Sequence, residues 1–252
     1  MLIYTQNHIA KTKPNHKSLQ NTQQIATHSQ DNKGGSQMAK NFFYNEIYAL
    51  DFTLMDKKDS LYVLQMRNHT QVAQYMYSSH ISKQGHTDFI KGLKNNQKSA
   101  YWLLKKRGEI LGVASLSRIN LTHKNAYIGI YKNPFLDACA QTKVLVKSTC
   151  TEISSHSSGD SAGNSSGTSS YSSDSSAGIS VGAEILATLE HIAFSEFCLH
   201  SLHLEVLESN AKAIRFYEKN GYKYGGKLVD FIYRNEFYHN ALLYSKTSPL
   251  GF

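Results

Sequence analysis

The chain reads as an α/β protein with a mixed, mostly antiparallel central sheet and helices on both faces. Three observations predict this. Strand-like and helix-like patterns follow one another in the order β-α-α-β-β-β-α-β-α-β-β. Two pairs of apolar runs are each joined by a short polar turn, which is a hairpin signal. The run at 202–207 passes almost directly into a capped helical segment, as a strand must when a helix packs back on its sheet.

The elements follow in order. Residues 47–54 supply the first strand. Residues 60–68 read as a helix, with Leu61, Leu64 and Met66 turned inward and Arg67 near its end. Ser82 caps a second helix that reaches about Leu93 and carries Phe89 and Ile90. Residues 101–106 and 110–116 flank Arg107-Gly108-Glu109 as a hairpin. Residues 126–131 form a further strand, stopped by Pro134. Residues 183–199 are the strongest helix: Ile185, Leu186, Leu189, Ile192, Ala193 and Phe197 fall at helical spacing. Residues 227–233 and 237–244 close the chain as a hairpin around Arg234-Asn235.

Residues 210–222 carry the clearest chemistry. Asn210 offers a side-chain oxygen to an orphan amide of the first turn. Ala213, Ile214 and Tyr217 share one helical face. Gly221 stands where a left-handed C-terminal residue is wanted. Tyr217 projects beside whatever the end of the preceding strand binds, and a phenol can donate a proton. Glu205 alternates with apolar Leu204 and Val206 in that strand, so its carboxylate faces either solvent or a site.

Composition sets limits. Residues 1–37 are rich in Gln, Asn, Lys, His and Thr, hold Asp31 as their one acidic residue, and show almost no apolar periodicity. They read as a disordered tail without the apolar core of a secretory signal. Met38 reads as the start of the globular sequence. One domain is expected over 38–247, interrupted at 137–180 by a Ser/Gly-rich insertion of linker character, with 248–252 as a short tail. The formal net charge of +8 suits an anionic partner or a merely solvated basic surface. No Lys/Arg-rich run or stacking motif argues for nucleic acid. Cys139, Cys150 and Cys198 show no metal-binding or disulfide spacing, so no metal is expected. No apolar run approaches the ~20 residues of a membrane span, and a reducing cytoplasm fits.

The pattern N-x-x-A-x-x-F-Y-x-x-x-G-Y at 210–222, on this order of elements, resembles the strand-helix motif of the GNAT superfamily of N-acetyltransferases. Within it, Arg67-Asn-His69, Tyr75-Met-Tyr-Ser78, residues 115–120, residues 127–135 and His203-Leu-Glu-Val206 resemble the N-acetyltransferases of bacterial pseudaminic acid biosynthesis. The resemblance covers residues 41–246 apart from the insertion. It implies acetyl transfer from acetyl-CoA to the 4-amino group of UDP-4-amino-4,6-dideoxy-N-acetyl-β-L-altrosamine, in a pathway that serves flagellin glycosylation.

What the resemblance implies can be placed on residues. Tyr217 is the general acid for the departing thiolate, and Glu205 takes the amine proton through water. Acetyl-CoA lies between the strands ending at Tyr131 and Leu207, with the pantetheine arm on the backbone of Ile130, Tyr131 and Lys132. Its pyrophosphate meets the amides of Val181, Gly182 and Ala183 at a helix start, and Asn210 and Phe216 line the other wall. The sugar nucleotide takes Arg67, Met76, Tyr77, His86, Phe89, Ser117, Arg118, Tyr127 and Tyr131. Arginine suits diphosphate, and Met or aromatic side chains suit uracil and sugar. A homodimer is compatible with this reading.

One departure stands out. The superfamily's short Q/R-x-x-G-x-G/A turn is here spread over about 45 residues between Pro134 and Gly182, leaving Val181-Gly182-Ala183 as its remnant. Lengthening a loop from about 6 to about 45 residues costs roughly 2 kcal/mol, so the fold should survive. Residues 142–147 look strand-like without an assigned role. Two other functions stay open: acetylation of a protein N-terminus or another small amine, and a silent module that binds CoA or nucleotide without turnover.

Overall fold

Residues 40–136 and 180–249 are described by the computed structural model. The expectations for the N-terminal tail and Met38, for Cys139 and Cys150, for residues 142–147 and for the insertion up to 179 lie outside the described residues.

Two short strands come first, β1 (Phe42–Tyr44) and β2 (Ile47–Asp51). They are joined by a two-residue turn in which Asn45 and Glu46 both have positive φ. The sequence shows no Gly here, and β1 is missing from the expected order. The expected strand at 47–54 ends at Asp51, because the Asp51 carboxylate accepts from the Thr53 amide and starts a 3-10 turn, Phe52–Leu54.

Helix α1 (Lys57–Asn68) starts three residues earlier than expected, since Asp56 caps it through the Asp59 amide at 2.7 Å. Its buried side chains are Val63, Met66 and Arg67, while Leu61 and Leu64 are only half-buried. The short helix α2 (Thr70–Ala73) follows. Helix α3 (Lys83–Leu93) is capped by Ser82 as its sequence requires, with the Gly85 amide 3.0 Å from the hydroxyl.

Strands β3 (Ser99–Lys106) and β4 (Glu109–Asn120) form the first expected hairpin, turning on Arg107 and Gly108, both at positive φ. Strand β5 is Asn125–Lys132. Helix α4 (Val181–His191) begins at the Ser180 cap, two residues before the expected start, and unwinds into a π turn, Ile192–Glu196. Strand β6 (Ser201–Leu207) leads to helix α5 (Ala211–Lys219), capped by Asn210 through the Ala213 amide at 3.1 Å. Gly221 has φ +85°, the left-handed stop expected of it. Strands β7 (Lys223–Arg234) and β8 (Phe237–Thr247) pair about a turn at Asn235-Glu236, one residue beyond the expected Arg234-Asn235, so Arg234 belongs to the strand.

The eight strands lie in the order β1-β2-β3-β4-β5-β6-β8-β7, and only β5 and β6 run parallel among the paired neighbours. Alternation along each strand divides the core in two. Trp102 and Leu104 face the layer of α4 and α5, and Tyr101 and Leu103 face the layer of α1 to α3. The sheet is thus covered on both faces, as expected. Gly112 lets β5 and α4 pack tightly over it: a Cβ there would lie 2.2 Å from the Tyr131 carbonyl oxygen and 2.8 Å from the Ile185 Cδ1.

Candidate active site

The parallel ladder between β5 and β6 is short. It joins Asn125, Ala126 and Tyr127 to Ser201, Leu202 and His203, and goes no further. Beyond it β5 continues through Ile130, Tyr131 and Lys132 along β4, while β6 continues to Leu207 along β8. The two strands therefore part in the middle of the sheet, where an extended molecule can lie against backbone. Ile130 and Tyr131 are buried there, and Lys132 is exposed.

Strand β6 presents different chemistry to its two sides. Leu202, Leu204 and Val206 join the apolar layer of α4 and α5. Glu205 points the other way and is 5% exposed. Its Oε1 accepts from Arg118 Nη1 at 2.7 Å, and its Oε2 accepts from the Tyr77 hydroxyl at 2.7 Å. A carboxylate removed from water needs such partners to keep its charge. Burial, the hydrogen bond to Glu205 and the Glu205 charge push the Tyr77 phenol well above its ordinary value, so it stays protonated. Burial works against the Arg118 charge, but Glu205 outweighs it and holds the guanidinium above its ordinary value.

Arg118 reaches Glu205 through an irregularity. The β4–β5 register shifts between Ser117 and Asn120, and Arg118 itself has φ 51°. The bulge turns its side chain across the sheet. The guanidinium also lies 4.3 Å from the Tyr127 ring centroid, and Tyr127 in turn packs at 5.6 Å against His203. Burial lowers His203, which therefore favours its neutral form. Ser117 donates to the Tyr127 carbonyl at 3.4 Å. Of the residues chosen from sequence, the structure brings Tyr77, Ser117, Arg118, Tyr127 and Glu205 into one cluster.

Tyr217 lies on the other face of β6. It is 3% exposed and packed between Phe216 and Tyr222, at centroid distances of 5.3 and 5.5 Å. Burial raises its phenol, which keeps it in the protonated, donor form. The Phe216 ring meets the start of α4, 3.4 Å from where a Gly182 Cβ would stand. Asn210 is buried, and its side-chain oxygen is used in capping α5.

The remaining chosen residues are placed away from the Glu205 cluster. Arg67 is fully buried and donates through Nη2 to the Ser78 carbonyl at 2.8 Å. It lies close enough to Tyr131 to oppose the rise that burial causes in that phenol. His86 is buried against the Ser60 carbonyl at 2.9 Å, tying α3 to α1. Phe89 meets Tyr101 edge-on at 5.0 Å, and Met76 sits in the same apolar layer. These side chains build the wall under α1 to α3.

Sequence reading missed His203, beneath Tyr127, and Arg234. Arg234 Nη1 donates to the Met76 carbonyl at 2.8 Å and the Ala73 carbonyl at 3.4 Å. No local pattern marks a strand-end arginine as the tie for a segment 158 positions away. Among the described residues no cluster of three or more His, Cys, Asp or Glu could hold a metal ion. No helix among them is long and apolar enough to cross a membrane.

Residues 171–222 match the acetyltransferase (GNAT) family. The chain is 28% identical over 91 residues to the acetyltransferase PseH of Campylobacter jejuni subsp. jejuni serotype O:2, a match spanning 36% of this chain and 57% of that relative. The fold is similar to spermidine N-acetyltransferase from Vibrio cholerae, solved with CoA and spermine, at a TM-score of 0.55 and 14% identity over 81% of this chain and 96% of that one. It is also similar to Campylobacter jejuni N-acetyltransferase PseH, solved with acetyl coenzyme A, at a TM-score of 0.50 and 15% identity over 80% of this chain and 99% of that one. The chain has the GNAT fold, and its residues 171–222 carry the sequence match to that acetyltransferase family.

Proposed function

We propose that this chain is an acetyl-CoA-dependent N-acetyltransferase whose acceptor is the 4-amino group of a UDP-amino-sugar, UDP-4-amino-4,6-dideoxy-N-acetyl-β-L-altrosamine. The observation that carries the reading is Glu205, a buried carboxylate held by Tyr77 and Arg118 beside the point where β5 and β6 part.

Attack on a thioester needs a neutral amine, so an ammonium must first give up a proton. The Glu205 carboxylate, held by Tyr77 and Arg118, is the group that takes this proton, through a water. Tyr217 supplies the proton for the departing sulfur. Its buried phenol is fully protonated at neutral pH and is placed as a donor for the negative charge that develops on the sulfur. The thioester supplies the activated acetyl group. The edge of β5 at Ile130, Tyr131 and Lys132, and the start of α4 at Val181, Gly182 and Ala183, suit its extended arm and its pyrophosphate.

Two features favour the sugar nucleotide over a polycation such as spermidine. Arg118 places a half-exposed positive charge at the mouth of the Glu205 cluster, which attracts a diphosphate and repels a polyamine. Tyr127 and Tyr77 offer aromatic surface beside it.

The test is acetylation by the full chain with acetyl-CoA and three acceptors in parallel: the UDP-amino-sugar, spermidine, and a peptide with a free N-terminus, with products weighed by mass spectrometry. Acetylated sugar nucleotide as the main product supports the reading. A preference for either other acceptor moves the chain to another amine. A silent module would give no product with any of the three acceptors, and calorimetry with acetyl-CoA then shows whether it still binds the cosubstrate.

A further inference from the structure

The structure assigns to Arg234 the role of a positioning residue that holds Tyr77 on Glu205, an inference that rests on the proposed reading of Glu205 as the proton acceptor. Tyr77 lies in the connection between α2 and α3, where neither strand nor long helix fixes the backbone. That connection is instead gripped on both sides of Tyr77. On one side Arg234 Nη1 donates to the Met76 carbonyl at 2.8 Å and to the Ala73 carbonyl, at the end of α2, at 3.4 Å. On the other, Arg67 Nη2 donates to the Ser78 carbonyl at 2.8 Å. Two guanidiniums thus hold the carbonyls that flank Tyr77.

The side chain is guided by the same strand end. Ile232, two residues before Arg234 on β7, packs with Leu207 and Ala241 against Tyr75 and Tyr77. The result is a phenol aimed at Glu205 Oε2 at 2.7 Å, across 128 positions of sequence. Arg234 does this at a cost, because its Nε is buried without a hydrogen-bond partner. A charged side chain kept in that position at the tip of a hairpin is accounted for by the segment it holds. If Arg234 lets go, Tyr77 can swing off, and Glu205 loses a donor that sets its orientation.

The test compares Arg234→Met, which keeps the stem and removes the donors, with Arg234→Lys, which can still reach a carbonyl, each alone and combined with Tyr77→Phe. On the UDP-amino-sugar, Arg234→Met should lower kcat about tenfold, the loss that follows from one misplaced hydrogen bond at a catalytic group, and leave the KM for acetyl-CoA within about twofold. Lys should restore part of the rate. In the Tyr77→Phe background Arg234→Met should change kcat less than about twofold, because the two act through one contact. Equal losses in both backgrounds would overturn the assignment.

A second arm does not depend on the substrate. In protein labelled at the tyrosine ring carbons, the Tyr77 signal, identified by its absence in Tyr77→Phe, should begin to titrate at lower pH in Arg234→Met than in the unaltered chain. Identical titration in both would overturn the role of Arg234, even if the sugar nucleotide proves to be the wrong acceptor. Inactivity of the unaltered chain on that sugar would instead count against the substrate alone.

Discussion

Glu205 and Tyr217 lie on opposite faces of β6. The carboxylate is held by Tyr77 and Arg118 on one side, and the phenol is packed with Leu204 and Val206 on the other. No hydrogen bond links them among the described residues. In the proposed roles, a base and an acid separated by a strand can serve the two ends of one acyl transfer without neutralising each other. In the proposed reaction the amine attacks the carbonyl carbon and the sulfur departs from it, and each meets its own proton group.

Tyr217→Phe removes the acid and keeps the ring. The ring already fills an apolar site, so the change should leave unfolding temperature and the KM for acetyl-CoA nearly unaltered. Turnover should fall by about a hundredfold or more. Steady-state kinetics with each substrate varied in turn measures this, and an undiminished kcat would remove Tyr217 from the chemistry.

Glu205→Gln keeps the shape of the side chain but abolishes its charge, and should lower kcat by about a hundredfold at neutral pH. Because Glu205 and Tyr217 act on separate protons, the losses from the two variants should multiply in the double variant. Arg118→Gln should behave differently. It should raise the KM for the sugar nucleotide, and raise it less at high salt, since the side chain is about half exposed and screened there. A KM for the sugar nucleotide that does not respond to Arg118→Gln would argue that the diphosphate binds elsewhere.

Stability should fall on mild acidification, and His86 should carry part of the fall. Burial lowers the His86 ring below its ordinary 6.5, and its Nε2 faces the Ser60 carbonyl, so the native state holds the neutral ring with a proton on that nitrogen. The unfolded chain takes up a second proton near 6.5, and the native chain only at lower pH. Protonation therefore favours unfolding. Stability from this group is complete above about pH 6.5 and is lost progressively as the pH falls below it towards the lowered native value. His203 shifts in the same direction. His86→Gln should consequently make the melting temperature less steep between about pH 5 and 6.5 without making it flat. A slope equal to that of the unaltered chain would show that His86 does not titrate on unfolding.

Gly112→Ala should be costly although it adds one carbon. The new Cβ would stand 2.2 Å from the Tyr131 carbonyl oxygen and 3.1 Å from the Lys132 Cα, backbone of β5 that cannot yield cheaply, and 2.8 Å from the Ile185 Cδ1 methyl of α4. About 1–3 kcal/mol of stability should be lost, read from urea unfolding. Any displacement of α4 should also weaken acetyl-CoA binding in calorimetry. A variant as stable as the parent would mean that α4 rides on the sheet more loosely than the packing implies.

Local chemistry determined a large share of this protein. Asn210, Ser82 and Gly221 act as the caps and stop that their side chains and backbone freedom dictate. Helical and alternating apolar spacing located most of the sheet and its covering helices, because each such pattern acts over a few neighbouring residues. Where the reading slipped, the competing signal was also local but weaker: Asp56 extending α1, the Asn45-Glu46 turn creating β1, and the Asn235-Glu236 turn adding Arg234 to β7. The candidate site was decided otherwise. Glu205 could have faced water, and its burial depends on Tyr77 arriving from 128 positions away and Arg118 from 87. Arg67 and His86, polar in sequence, are buried against the carbonyls of Ser78 and Ser60. Partners so distant in sequence leave no periodic trace. Only the packed sheet, which brings β4, β6 and the α2–α3 connection together, determines which charges meet and which proton each can move.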